Sequence, residues 1–163
     1  MTVLAAWAGT SQRLGAFVET VFDTVVAVFD AAGVDLPDRR LITIGTPVHD
    51  CEEVVVTFND LAKGGLNEEA SPRCDSAVTV SLSVHVIRCF PTPPGRGSVP
   101  PAAEVLTVNA HEVMIDSWLL MDVVRVLGND PMLMFYEVEA SVAPGEPQGG
   151  YLGTVLNLQA AVP

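Results

Sequence analysis

A chain of 163 residues is long enough for one domain with a substantial core, and a 49% hydrophobic content with mean hydropathy +0.38 excludes a disordered polymer. Twenty acidic residues against eight basic ones give a formal net charge of −12. Lys63 is the single lysine, the arginines are scattered, and no basic stripe exists to neutralise phosphates, which excludes a nucleic-acid-binding role.

The start, "MTVLAAWAGTSQRLG", has no basic segment before its apolar stretch, so a secretory signal is not expected. No apolar run has the length of a membrane span, and the expectation is a protein made in the cytosol with no membrane partner. Its three cysteines, Cys51, Cys74 and Cys89, lack the close pairing of zinc motifs, and reduced thiols are the expectation for that compartment.

From Ser11 to about Ala32 the pattern predicts a helix, with Leu14, Val18, Val21, Val25, Phe29 and Ala32 at spacings of three and four. Thr10 or Ser11 would cap its start and Gly33 would end it. Phe17, Phe22, Val26 and Val28 widen the apolar arc, as in a helix covered on more than one side. "RLITIG" reads as a short strand ending at Gly45 and Pro47.

The segment after it sets His49, Asp50, Cys51, Glu52 and Glu53 side by side. These are residue types of metal sites and nucleophilic catalysis, but consecutive side chains of an extended segment point apart, so at most two could share one ion. Two strands flank a polar loop over residues 62–75. Val54, Val56 and Phe58 alternate on the first, and Val78, Val80, Leu82, Val84 and Val86 on the second, opposite a polar row of Thr79, Ser81, Ser83 and His85. A register pairing Val54 with Val86, Val56 with Val84 and Phe58 with Leu82 keeps every apolar residue on one face, though neighbouring even registers fit as well. That register puts Cys51 opposite Cys89 on the polar face. Cys51, His85 and Cys89 are then the best metal constellation in the chain, and a polar corner beside a sheet explains the same residues without a metal.

The proline-glycine loop 91–99 leads to a second helix, about Pro101 to Leu127, with a main stripe of Leu106, Ala110, Val113, Ser117, Leu120, Val124 and Leu127. His111, Glu112 and Asp116 on it complete no zinc motif and read as a solvated or interface face. Met114, Trp118 and Met121 form a second stripe, offset from the first. It is either core or a subunit contact, for which tryptophan and methionine are suited. Two closing segments, "MLMFYEVEASV" and "YLGTVLNLQAAV", joined across the loop 143–150, predict a final hairpin. The order α-β-β-β-α-β-β implies a single α+β domain over 1–163, an antiparallel or mixed sheet with two long helices on one face. No enzyme signature and no cofactor-binding motif is found.

"LPDRRLITIGTPVHDCEEVVVTF", "SPRCDSAVTVSLSVHVIRCFPTPP" and "PPAAEVLTVNAHEVMIDSWLLMDVV" resemble, in segment order, strand-end cysteines and the "DSWLL" stretch, the tail terminator proteins of long-tailed actinobacterial phages. The resemblance covers roughly residues 11–140. It implies a structural virion protein of the neck, assembled in the host cytoplasm, with no chemistry. Such proteins form a ring, usually a hexamer, on the head-proximal end of the tail tube. The ring stops polymerisation and meets the head-tail connector. Partners would be other copies, the tail tube protein and the connector, with genomic DNA only passing through the lumen. A head-completion or stopper protein is the neighbouring reading, and a small zinc or thiol enzyme using Cys51, His85 and Cys89 the rival from another class.

Overall fold

The computed structural model describes residues 3–45, 50–63, 78–91, 100–129, 138–145 and 150–162, with side chains described from Leu14 onward except those of Lys63 and Val162. Its elements follow the expected order: α1 (Val3–Ala32), β1 (Arg39–Ile44), β2 (Glu53–Lys63), β3 (Val78–Cys89), α2 (Ala103–Asn129), β4 (Val138–Pro144) and β5 (Tyr151–Val162). The fold is α+β, with a five-stranded mixed sheet in the order β1-β2-β3-β5-β4. His49 and Cys74 lie outside the described residues, as does most of the three predicted loops. At their near ends β2 runs on to Lys63 and β4 to Pro144.

α1 begins at Val3, well before the expected Ser11. Apolar periodicity starts late, but the leading "VLAAWAG" is rich in alanine, the strongest helix former, so Thr10 and Ser11 are interior residues instead of caps. The other end is as expected. Gly33 takes a left-handed φ of 67°. Its N–H donates to the Asp30 carbonyl (3.1 Å) and the Val34 N–H donates to the Phe29 carbonyl (3.1 Å). This paired closure satisfies two carbonyls of the last turn, and Val34 packs back on the core.

The β2–β3 ladder has the predicted register: Val54 with Val86, Val56 with Val84, Phe58 with Leu82. A bulge between Phe58 and Asp60 then shifts it, pairing Asp60 with Ser81 and Leu61 with Val80. The extra residue turns Asp60 away from the apolar face, where strict alternation would have put a carboxylate. β4 and β5 form the predicted antiparallel hairpin. Two pairings are not readable from local pattern. β5 inserts between β4 and β3, pairing with β3 along its whole length, and β1 lies parallel to β2.

Both helices cover one face of the sheet. Val54, Val56, Val80, Leu82, Val84, Val86, Leu156 and Leu158 meet Phe17, Val21, Val25 and Phe29 of α1 and Leu119, Leu120, Val123 and Leu127 of α2. α1 packs on β2, α2 on β4 and β5, and the helices touch each other. On the other face Thr43, Thr57, Ser83, Asn157 and Ser141 stand in register as one polar row across all five strands. The Thr43 and Thr57 hydroxyls hydrogen-bond (3.0 Å), and Ser83 Oγ accepts from Asn59 Nδ2 and donates to Asn157 Oδ1 (3.2 Å). These bonds satisfy polar side chains that a half-buried sheet face would otherwise leave costly. No helix among the described residues is long and apolar enough to cross a membrane.

Candidate functional site: the exposed face of the second helix

The buried side of α2 carries Val113, Asp116, Leu119, Leu120, Val123 and Leu127. The predicted main stripe holds for Val113, Leu120 and Leu127, but Leu106 (39% exposed) and Ala110 are uncovered. The first turns of the helix run beyond the elements that bury its middle, and a periodic pattern does not encode how far a neighbour extends. α2 also starts two residues later than predicted, at Ala103, and its last turn is closed by Asn129 Nδ2 donating to the Arg125 carbonyl (2.8 Å).

The second stripe is not core. Met114 is 66% exposed, Trp118 72% and Met121 47%. At about 100° per residue these three fall within roughly 60° of arc, opposite the buried side. Ile115 and Val108 extend the apolar area on one flank. A tryptophan and two methionines in water over two turns are the kind of contiguous apolar surface that marks an interaction site. Charges flank it: Glu104 opens the helix, and Asp122 pairs with Arg125 at 3.1 Å.

The acidic cluster before β2 has a structural account for each described member. Asp50 Oδ1 accepts the Cys51 N–H (2.9 Å), and its Oδ2 pairs with Arg39 (3.3 Å). Glu52, at a positive φ of 59°, reaches across with Oε1 to accept the Cys89 N–H (3.0 Å). Glu53 is fully buried, accepts the Asp50 N–H at Oε1 (3.0 Å) and lies 3.6 Å from Arg39. Cys51 and Cys89 meet as the register requires, but as a disulfide. This corrects the expectation of reduced thiols, which rested on compartment alone; a Cα–Cα distance of 4.7 Å is what a disulfide needs. Two sulfurs bonded to each other offer no thiolate to a metal, so the Cys51–His85–Cys89 constellation is not assembled. Among the described residues no group of three or more histidine, cysteine, aspartate or glutamate side chains could hold an ion.

Asp116 is a second correction. It is 1% exposed, not solvated, because the buried arc of α2 passes through position 116 where the predicted stripe passed through Ser117. Its carboxylate takes both arms of Arg88, from Nε to Oδ2 and Nη2 to Oδ1, each at 2.8 Å. Nη2 also donates to the Asp35 carbonyl (3.1 Å). Bonding to Asp116 raises the Arg88 pKa above its ordinary value, against the lowering that burial imposes. His111 is exposed and Glu112 half-buried; with Asp116 engaged by Arg88 the three make no site.

Sequence reasoning missed one exposed feature. On β1 the residues paired with core positions Val54, Val56 and Phe58 are Arg40, Ile42 and Ile44. They share the helix-covered side of the sheet, yet Ile42 is 52% and Ile44 86% exposed. Their alternation marked an apolar face, and only the strand order places that face at an edge. A scan of the chain against protein-family models finds no match, and a search among curated proteins finds none that matches it.

Proposed function

We propose that this chain is a structural protein that works by self-assembly, a tail terminator of a long-tailed phage that forms a ring on the head-proximal end of the tail tube. The observation that carries the reading is the Met114, Trp118 and Met121 face, which is apolar and exposed on a helix whose opposite side is buried from Val113 to Leu127. A monomer gains nothing from that surface, whereas a neighbouring subunit would bury it. The net charge of −12 supports the same reading, since a ring of acidic subunits lets DNA pass its lumen without adhering. The acidic cluster serves the fold: each described member is engaged in holding the corner between β1 and β2. The resemblance in segment order to tail terminators supplies the remainder, namely the tube below and the connector above.

Negative-stain imaging of the purified protein, alone and mixed with tail tubes, tests the proposal. Rings that cap tube ends are the expected result. Rings that ignore tubes would move the assignment to a head-side stopper, and particles that never associate would overturn it. Trp118→Glu is expected to weaken self-association by about 2–4 kcal/mol, as for a central aromatic anchor, while leaving the fold intact. Sedimentation velocity over a concentration series reads that loss directly. A variant that assembles like the parent protein would remove α2 from the contact.

A further inference from the structure

We infer that the surface receiving the α2 stripe is the β1 row Arg40, Ile42 and Ile44 of a second copy, so that the two patches are halves of one head-to-tail contact. This rests on the self-assembly reading above and adds the residues on each side. Three observations carry it. The first is placement. β1 is one edge of the sheet and β4 the other, and α2 lies over β4 and β5. Both patches are on the helix side of the sheet, one towards each edge. Two unlike patches at opposite edges of one subunit cannot satisfy each other within it, but they meet when copies are laid side by side. Such a heterologous contact repeats from copy to copy until it closes as a ring or runs on as a filament.

The second is size and shape. Met114 to Met121 spans about 10 Å along the helix, and Arg40 to Ile44 about 13 Å along the strand. Two isoleucines at alternate positions present a short ridge, and methionines at the ends of a two-turn stripe are adaptable enough to receive it. The third is charge. Arg40 is one of eight basic residues in a chain with twenty acids, and it is exposed on the same face as the isoleucines. On α2 the acids beside the stripe are Glu104 and Asp122, the latter paired with Arg125 at 3.1 Å. Arg40 set over the Trp118 ring would add a cation–π contact at the polar end of the row.

Complementation of two defective variants tests this. Ile44→Glu spoils only the strand half and Trp118→Glu only the helix half. Each alone is expected to stay monomeric, with a circular dichroism spectrum like the parent protein's. Mixed in equal amounts they should form a one-to-one heterodimer and nothing larger, because each supplies the half the other lacks. Light scattering on a sizing column reads the mass. Arg40→Glu, which leaves the apolar row in place, should weaken association of the otherwise unchanged chain about tenfold. If the parent chain assembles but the mixture stays monomeric, or if Ile44→Glu alone assembles normally, the pairing of these two patches is wrong while self-assembly stands. If the parent chain itself is monomeric at every concentration, both proposals fall.

Discussion

Asp116→Ala should cost about 3–5 kcal/mol of stability, a large part of what a domain of this size has to lose. The removed carboxylate takes two charge-assisted bonds of 2.8 Å with it. The greater cost lies in what stays behind. Arg88 is only 15% exposed at its side chain and keeps its charge at any accessible pH, so it becomes a buried cation whose remaining hydrogen bond among the described residues is to the Asp35 carbonyl, with Glu112 and Glu52 acting on it only through their charge. The residue ties three segments that no ladder joins: the end of β3, the middle of α2 and the connection after α1. Loosening it should therefore free α2 from the sheet end as well as lower the unfolding free energy. Urea unfolding followed by tryptophan fluorescence and by circular dichroism measures both. Removing the pair together, Arg88→Met with Asp116→Leu, should recover most of the loss, since neither charge is then stranded. A single-variant cost under about 1 kcal/mol would mean that water reaches Arg88 freely enough to replace its partner.

How much of this was legible depended on whether a feature is local. Val54, Val56, Phe58 and their partners on β3 declare their register because a one-residue slip would turn every valine to the wrong face. Gly33 declares the end of α1 because few other residues accept its φ. The exposure of Met114, Trp118 and Met121 was half legible: the offset stripe shows in the spacing, but a stripe buried by a neighbouring element has the same spacing. Position in the sheet order was legible only for the two hairpins, β2–β3 and β4–β5. Ile42 and Ile44 alternate like core residues and lie uncovered only because β1 is an edge, and β5 reaches the sheet centre through a pairing with β3 that no short-range signal carries. Asp116 could have been found. It sits at the spacing of Val113, Leu120 and Val123, and an acid on the buried arc of a helix requires a partner. Arg88, on the apolar side of the β3 alternation, was the cation on the right face.

Opening the Cys51–Cys89 bond should lower stability by about 2–4 kcal/mol without dissolving the fold. The bond closes a loop of 38 residues containing β2, the long polar connection and β3. Chain-entropy reasoning gives about 4 kcal/mol for a loop of that length, as the upper figure. The lower figure follows from the surrounding contacts. Glu52 holds the Cys89 N–H, Asp50 holds the Cys51 N–H and Arg39, and the β2–β3 ladder itself brings the two strand ends together. With the sulfurs reduced, these still define the corner, so the cost falls on the unfolded chain and not on the native geometry. A Cys51→Ser, Cys89→Ser variant should thus melt roughly 5–15 °C lower than the parent protein yet keep its circular dichroism spectrum and its self-association. Thiol counting provides the chemical check: the denatured, unreduced chain should alkylate at one cysteine and the reduced chain at three. Three alkylations without reductant would show the thiols free in solution. A melting shift near zero with the bond in place would mean the corner contacts already restrict the unfolded ensemble as tightly as the covalent link does.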